Sequence, residues 1–161
     1  MSSTLHFLLA SPQATQALGR LVGSWAQPGS LFLLEGNLGS GKTTLVQGIA
    51  AGLGIPGVIN SPTFVLIQEY WEGRIPLFHC DLYRLSQVVA EDLGLPELWQ
   101  GQGITVIEWP ERLVNLPDQG YKFEFAVLSE EERSLTITAQ GDPNPSLWFC
   151  LEHFQPPRNG N

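Results

Sequence analysis

The chain has 161 residues, is 43% hydrophobic and carries a formal net charge of −8 with a pI near 4.7. That is the size of one domain with an ordinary core. Its only lysines are Lys42 and Lys122, and no basic run exists, which excludes a broad footprint on a nucleic-acid backbone. Leu5–Ala10 is too short and lacks the basic start of a signal peptide, and no apolar run is long enough to span a bilayer. The expectation is a reduced, cytoplasmic protein without membrane association.

In chain order, Thr4–Leu9 reads as a strand. Ser11-Pro12 then supplies an N-cap and a proline at the first helical position. Ala14, Leu18, Leu21, Val22 and Trp25 continue as an apolar helical stripe, ended by Pro28-Gly29. Leu31–Leu34 is a short buried strand, and Leu45, Ile49 and Leu53 fall at helical spacing after it. Gly52, Gly54, Pro56 and Gly57 break the chain. Phe64–Trp71 and Ile75–Cys80 read as strands joined by a Glu72-Gly73 hairpin turn. Leu82, Leu85, Val88 and Val89 predict a helix, and Gly94 and Pro96 interrupt the stretch after it. Ile104–Ile107, Tyr121–Val127 and Leu135–Thr138 are further strands, the last two joined by the acidic turn Glu130–Arg133. Composition shifts at Gly141. Trp148, Phe149, Leu151 and Phe154 could form a short docking helix, and Gln155–Asn161 is expected to be disordered. Alternating strands and helices argue for a three-layer α/β fold, and the hairpin makes the sheet partly antiparallel.

Between the Leu31–Leu34 strand and the next helix lies Gly36-Asn37-Leu38-Gly39-Ser40-Gly41-Lys42-Thr43, a complete G-x-x-x-x-G-K-T phosphate-binding loop. Glycines let backbone N–H groups curl around phosphates without Cβ clashes. Lys42 can reach the outer phosphates, the Thr43 hydroxyl can hold Mg²⁺, and the helix start adds its positive dipole end. Strand, glycine loop and helix together make this a nucleoside triphosphate site rather than a chance glycine-rich turn.

Such a loop needs a carboxylate on the magnesium side, usually at the end of a buried strand. Asp81 and Glu108 both stand at such ends, where side chains project into the ligand crevice. Either could serve the metal, both could face the nucleotide, and either could be a helix cap or a solvated turn residue. His79, two residues before Asp81 in an apolar strand, reads as a packed core histidine before a proton carrier. Ser61-Pro62-Thr63 is a nucleotide-sensing loop or a plain turn. Arg84, Arg112 and Arg133 are candidate phosphate partners against a surface-residue alternative. Cys80 and Cys150 have no metal spacing, and Cys80 reads as a core thiol.

Four blocks now line up: Gly36–Thr44, Ser61-Pro62-Thr63-Phe64, His79-Cys80-Asp81-Leu82-Tyr83-Arg84-Leu85 and Val106-Ile107-Glu108-Trp109-Pro110. In this order and spacing, over residues 5–139, the chain resembles the TsaE (YjeE) family, small P-loop ATPases of the tRNA threonylcarbamoyladenosine pathway. The resemblance implies a P-loop NTPase fold, with residues 1–140 as the ATPase domain and 141–161 as a C-terminal extension. It implies a Mg²⁺-dependent, slow ATPase that supports turnover of a TsaB–TsaD complex and meets tRNA only indirectly, through that complex. Carried over by position, the triphosphate falls on Leu38, Gly39, Ser40, Gly41, Lys42, Thr43 and Thr44. Thr43 and Glu108 become Mg²⁺ ligands, and Lys42, Asp81 and Glu108 the catalytic set, with Asp81 a nucleotide-state sensor or water-positioning group. Thr63 falls in a switch-like loop. Ser11 and Pro12 would lie near the adenine, Trp109 and Glu111 would flank the nucleotide, and Arg133 is the basic candidate in the late hairpin.

Rival readings are a small-molecule kinase, a GTPase switch and a non-hydrolysing ATP-sensing module. The arginines are scattered singly, without the cluster a kinase lid uses, and no Asn-Lys-x-Asp segment reads guanine. Asp81 and Glu108 argue against pure binding.

Overall fold

In the computed structural model, residues 3–57, 59 and 66–158 are described. β1 (Ser3–Leu9) is followed by α1 (Pro12–Trp25), β2 (Leu31–Glu35) and α2 (Lys42–Gly52). β3 (Ile67–Tyr70) and β4 (Leu77–Asp81) form the expected antiparallel hairpin. α3 (Leu95–Trp99), β5 (Ile104–Glu108), β6 (Gly120–Val127), β7 (Arg133–Gln140) and α4 (Pro145–Glu152) complete the order.

The strands form one sheet in the order β1-β7-β6-β2-β5-β4-β3. β2 pairs in parallel with β5 and β6, and β4 with β5. The β1–β7, β6–β7 and β3–β4 pairs are antiparallel. The parallel centre places the carboxyl ends of β2, β4 and β5 side by side, where open α/β sheets bind ligands. It is the mixed sheet expected of a P-loop fold.

Period-two alternation gives the sheet two faces. Phe32, Leu34, Leu77, Ile104, Val106, Phe123 and Leu135 join the main core beneath α1, α2 and α4. Leu33, Cys80 and Ile107 point to the other face and pack with Leu82, Ala90, Leu95 and Leu113. α1 starts as its sequence dictates: the Ser11 side chain accepts from the Ala14 N–H at 3.2 Å, and Pro12 needs no donor there.

α1 and α2 touch backbone to backbone. A Cβ at Gly19 would lie 2.5 Å from the Leu45 carbonyl oxygen, and one at Gly48 would lie 2.4 Å from that of Gln16. Gly23 and Gly52 meet Ile49 and Arg20 in the same way. This seam fixes the start of α1 against the loop that opens α2.

One segment departs from the sequence reading. Leu82–Val89 is not a helix; only a 3₁₀ turn at Ala90–Leu93 and the five-residue α3 come after it. The Asp81 carboxylate takes the Tyr83 N–H at 3.0 Å, a local turn that competes with helix nucleation. Val88 bridges Leu113 instead, and Leu82 is buried against the second core. The tail, by contrast, forms the docking helix: α4 is capped by Asn144 and buries Leu147, Trp148 and Leu151 in the main core. Residues 155–158 carry no regular structure, and 159–161 lie outside the described residues.

Candidate functional site

The loop after β2 needs left-handed backbone that only glycine adopts readily. Gly36, Gly39 and Gly41 have φ of 152°, 76° and 112°. A Cβ at Gly36 would sit 2.5 Å from Ser40 Oγ, so the curl closes only around a glycine. The loop hands directly to α2, whose first residue is Lys42.

A cleft of about 520 Å³ opens beside it. Its lining includes Leu38, Gly39, Ser40, Gly41, Lys42, Thr43 and Thr44 from the loop and α2. Asp81 and Glu108 enter from the ends of β4 and β5, where they are direct register partners. Pro12, Trp109 and Arg133 also line it.

Lys42 is buried, and its Nζ donates to the Gly36 carbonyl at 2.6 Å while lying 3.8 Å from the centre of the Trp109 ring. Burial holds this ammonium below the ordinary lysine value, against the upward pull of Glu108, Glu111 and Asp81. Trp109 is the one non-glycine residue of left-handed backbone among those described, with φ 61° and ψ 50°. That conformation costs of order 1–2 kcal/mol and persists only where surroundings enforce it. Here the ring packs against Lys42 and against Tyr83, whose ring centre is 4.9 Å away.

Burial also raises the Asp81 carboxyl above its ordinary value, and nearby Glu108 adds to this. The Tyr83 N–H, His79 and Lys42 oppose the shift. Glu108 is buried, and one oxygen, Oε2, lies 2.6 Å from His79 Nε2.

Arg133 braces the loop from β7. Its Nε donates to the Ser40 carbonyl at 3.1 Å and a terminal nitrogen to that of Gly39 at 3.1 Å. Its other terminal nitrogen is held by the carbonyls of Ser129, Glu130 and Glu132.

Two expected residues do not line the cleft. Ser11 is consumed as the cap of α1, and Glu111 is exposed on the 3₁₀ turn Pro110–Arg112, where it acts on Lys42 through charge alone. Arg84 lines the cleft, whereas Arg112 lies 5.6 Å from the Trp109 ring and outside it. Ser61, Pro62 and Thr63 lie outside the described residues. Sequence reasoning missed Thr15, Leu66, Tyr83 and Glu131 on the cleft wall. Thr15 was within reach, because it lies one turn after Pro12 on the same helix face.

The donor set suits a magnesium nucleotide. Among the described residues no three His, Cys, Asp or Glu side chains gather to hold a metal. Mg²⁺ needs no such cage, since it keeps waters and phosphates and takes one or two protein oxygens. Thr43 and Glu108 offer those, and Ser40 Oγ is buried under the loop without a hydrogen-bond partner among the described residues. No helix of the described residues is long and apolar enough to cross a membrane.

Residues 9–135 match the family described as threonylcarbamoyl adenosine biosynthesis protein TsaE. Among curated relatives, the tRNA threonylcarbamoyladenosine biosynthesis protein TsaE of Bacillus subtilis (strain 168) is 41% identical over 139 residues, covering 86% of this chain and 87% of its own. The protein of that name from Nostoc sp. (strain PCC 7120) is 47% identical over 134 residues, covering 81% and 83%. The crystal structure of Bacillus subtilis YdiB superposes with a TM-score of 0.79 at 35% identity, covering 94% of this chain and 96% of that one.

Proposed function

This chain belongs to the TsaE family of tRNA threonylcarbamoyladenosine biosynthesis, and we propose that it acts there as a Mg²⁺-dependent, slowly hydrolysing ATPase subunit. One observation carries the reading. Lys42 and Thr43, Asp81, and Glu108 reach a single cleft from α2, β4 and β5.

The chain's own groups divide the work. Backbone N–H groups of residues 38–43 cradle the phosphates, and Lys42 exchanges the Gly36 carbonyl for phosphate oxygens. Thr43 and Glu108 would hold Mg²⁺, which would neutralise charge developing on the phosphates. Asp81, opposite Glu108, orients the attacking water or reports the state of the nucleotide. Pro12 and Thr15 offer an apolar edge to adenine, and no guanine-reading segment is found.

Hydrolysis by the isolated chain is slow in this reading. Arg133 commits its guanidinium to five carbonyls, so it is not poised as an arginine finger. A finger that Arg133 does not supply is worth on the order of 10³-fold or more in rate. We therefore place the activity within a TsaB–TsaD complex in the cytoplasm, with tRNA held by those partners. The acidic charge of −8 supports an indirect role toward RNA.

Reconstitution tests this. The chain, TsaB, TsaD, tRNA, threonine, bicarbonate, ATP and the enzyme that makes the threonylcarbamoyl donor should give multiple-turnover modification. Equal cycling without the chain, or with Lys42→Ala, would remove the role.

A further inference from the structure

The proposed Mg²⁺ site explains Glu108 but leaves an ionisable ring buried behind it. His79 is 0% exposed in the middle of the apolar strand Leu77–Asp81 and does not line the cleft. It stands opposite Val106 in the β4–β5 register, one diagonal step from Glu108 on the same face. Its Nε2 meets Glu108 Oε2 at 2.6 Å, with both side chains almost wholly out of solvent.

Packing alone gives no reason for an imidazole here. A polar ring in an apolar strand costs free energy unless hydrogen-bonded, and a leucine would fill such a place without that demand. The two ring nitrogens are treated unequally. Among the described residues Nδ1 is buried and has no hydrogen-bond partner, whereas Nε2 faces a carboxylate. A proton on Nδ1 would be a buried donor with no acceptor among those residues, the costlier way to leave a nitrogen unpaired. Hydrogen-bond accounting therefore puts the proton on Nε2, which donates to Oε2.

We propose that His79 is a positioning residue for Glu108: it pins Oε2 and so fixes the carboxylate plane, aiming Oε1 at the divalent cation beside the phosphates. A carboxylate on one end of a strand has freedom about its side-chain torsions, and a metal ligand that must be ordered at binding loses affinity. Partners of this kind behind a ligand typically change metal affinity by roughly 10–100-fold. This inference rests on the Mg²⁺–nucleotide reading of the cleft. His79 itself touches neither nucleotide nor metal, because it lies behind Glu108 rather than on the cleft wall.

The test uses the full chain and its His79→Leu and His79→Gln variants. Glutamine Nε2 keeps a donor close to where the imidazole has one, and leucine keeps only bulk. ATP affinity is measured by calorimetry in EDTA and across a Mg²⁺ titration. His79→Leu should raise the half-saturating Mg²⁺ concentration about tenfold while ATP affinity in EDTA stays within about twofold of the parent. His79→Gln should recover most of the difference. Parental Mg²⁺ dependence in His79→Leu overturns the proposal, and so does a His79→Gln as impaired as His79→Leu. A second readout needs no variant to fold: nitrogen-15 NMR of the parent should show the Nε2–H tautomer at His79, and the Nδ1–H tautomer overturns the proposal. A parent whose ATP binding ignores Mg²⁺ altogether removes the functional reading on which the inference rests. That result is distinct from a Mg²⁺-dependent parent with an indifferent His79→Leu.

Discussion

Asp81 and Glu108 are register partners at the ends of two adjacent parallel strands, so two carboxylates share one end of the cleft. Their surroundings separate them. Glu108 is 2% exposed and tied to His79, whereas Asp81 is half-buried and accepts a backbone N–H from Tyr83. Glu108→Gln should therefore weaken ATP binding in Mg²⁺ by about tenfold or more, since it removes a hard anionic ligand. Asp81→Asn should leave Mg²⁺–ATP affinity within a few-fold and lower hydrolysis in the reconstituted complex. Calorimetry with a phosphate-release assay checks both, and the opposite pattern would exchange the two roles.

Asp81 also sets a pH dependence. Its native carboxyl titrates above its ordinary value, chiefly through burial and then through Glu108. An acid whose folded value is raised contributes stability below its unfolded value, near pH 4, and loses it as pH rises through the folded value. Asp81→Asn removes that loss and still accepts from the Tyr83 N–H. Without ligand, it should melt above the parent at neutral pH, with the gap closing near about pH 3. Melting curves that do not converge at acid pH would contradict this.

The glycine seam makes a prediction against helix propensity. Alanine in a helix interior is favoured over glycine by up to about 1 kcal/mol. Yet a Cβ at Gly48 would lie 2.4 Å from the Gln16 carbonyl oxygen and 2.9 Å from Gly19 Cα. Gly48→Ala should push α1 off α2 and cost about 1–3 kcal/mol, a fall in Tm of several degrees at ~2–4 °C per kcal/mol. An unchanged or higher Tm would mean that the helices separate freely.

The cysteines should differ in reactivity. Burial, with Asp81 and Glu108 nearby, pushes the Cys80 thiol up to about 12, and the side chain is fully enclosed. Cys150 is partly exposed on α4. Iodoacetamide on the native protein should label Cys150 and spare Cys80 until denaturant is added, as read by mass spectrometry. Rapid native labelling of Cys80 would place it elsewhere than the second core.

The parts of this molecule written into short stretches were legible in its sequence. Gly36–Thr43 declares the loop, because each glycine meets a backbone need within eight residues. Ser11-Pro12 declares the start of α1 for the same local reason. Features that depend on strand register were not legible. The bond from His79 to Glu108 crosses 29 residues and exists because β4 and β5 pair at one particular offset. Tyr83 and Glu131 reach the cleft through packing that no spacing rule announces. Leu82–Val89 failed for a different reason: helical periodicity was present, but the Asp81 turn and the bridge from Val88 to Leu113 satisfied the segment differently. The glycines of α1 and α2 read as weak helix formers until the partner backbone stands 2–3 Å from each absent Cβ.

Binding of Mg²⁺–ATP in this cleft should depend on Lys42. Calorimetric titration of ATP in Mg²⁺ into the parent and Lys42→Ala, with circular dichroism confirming that both are folded, tests it most directly. Deleting a charge-assisted bond of this kind costs on the order of 2–3 kcal/mol, a loss of roughly 30–150-fold in affinity. The parent should bind ATP saturably, GTP should compete poorly, and a folded Lys42→Ala should lose affinity on that scale. Equal ATP affinity in the two proteins would contradict that dependence.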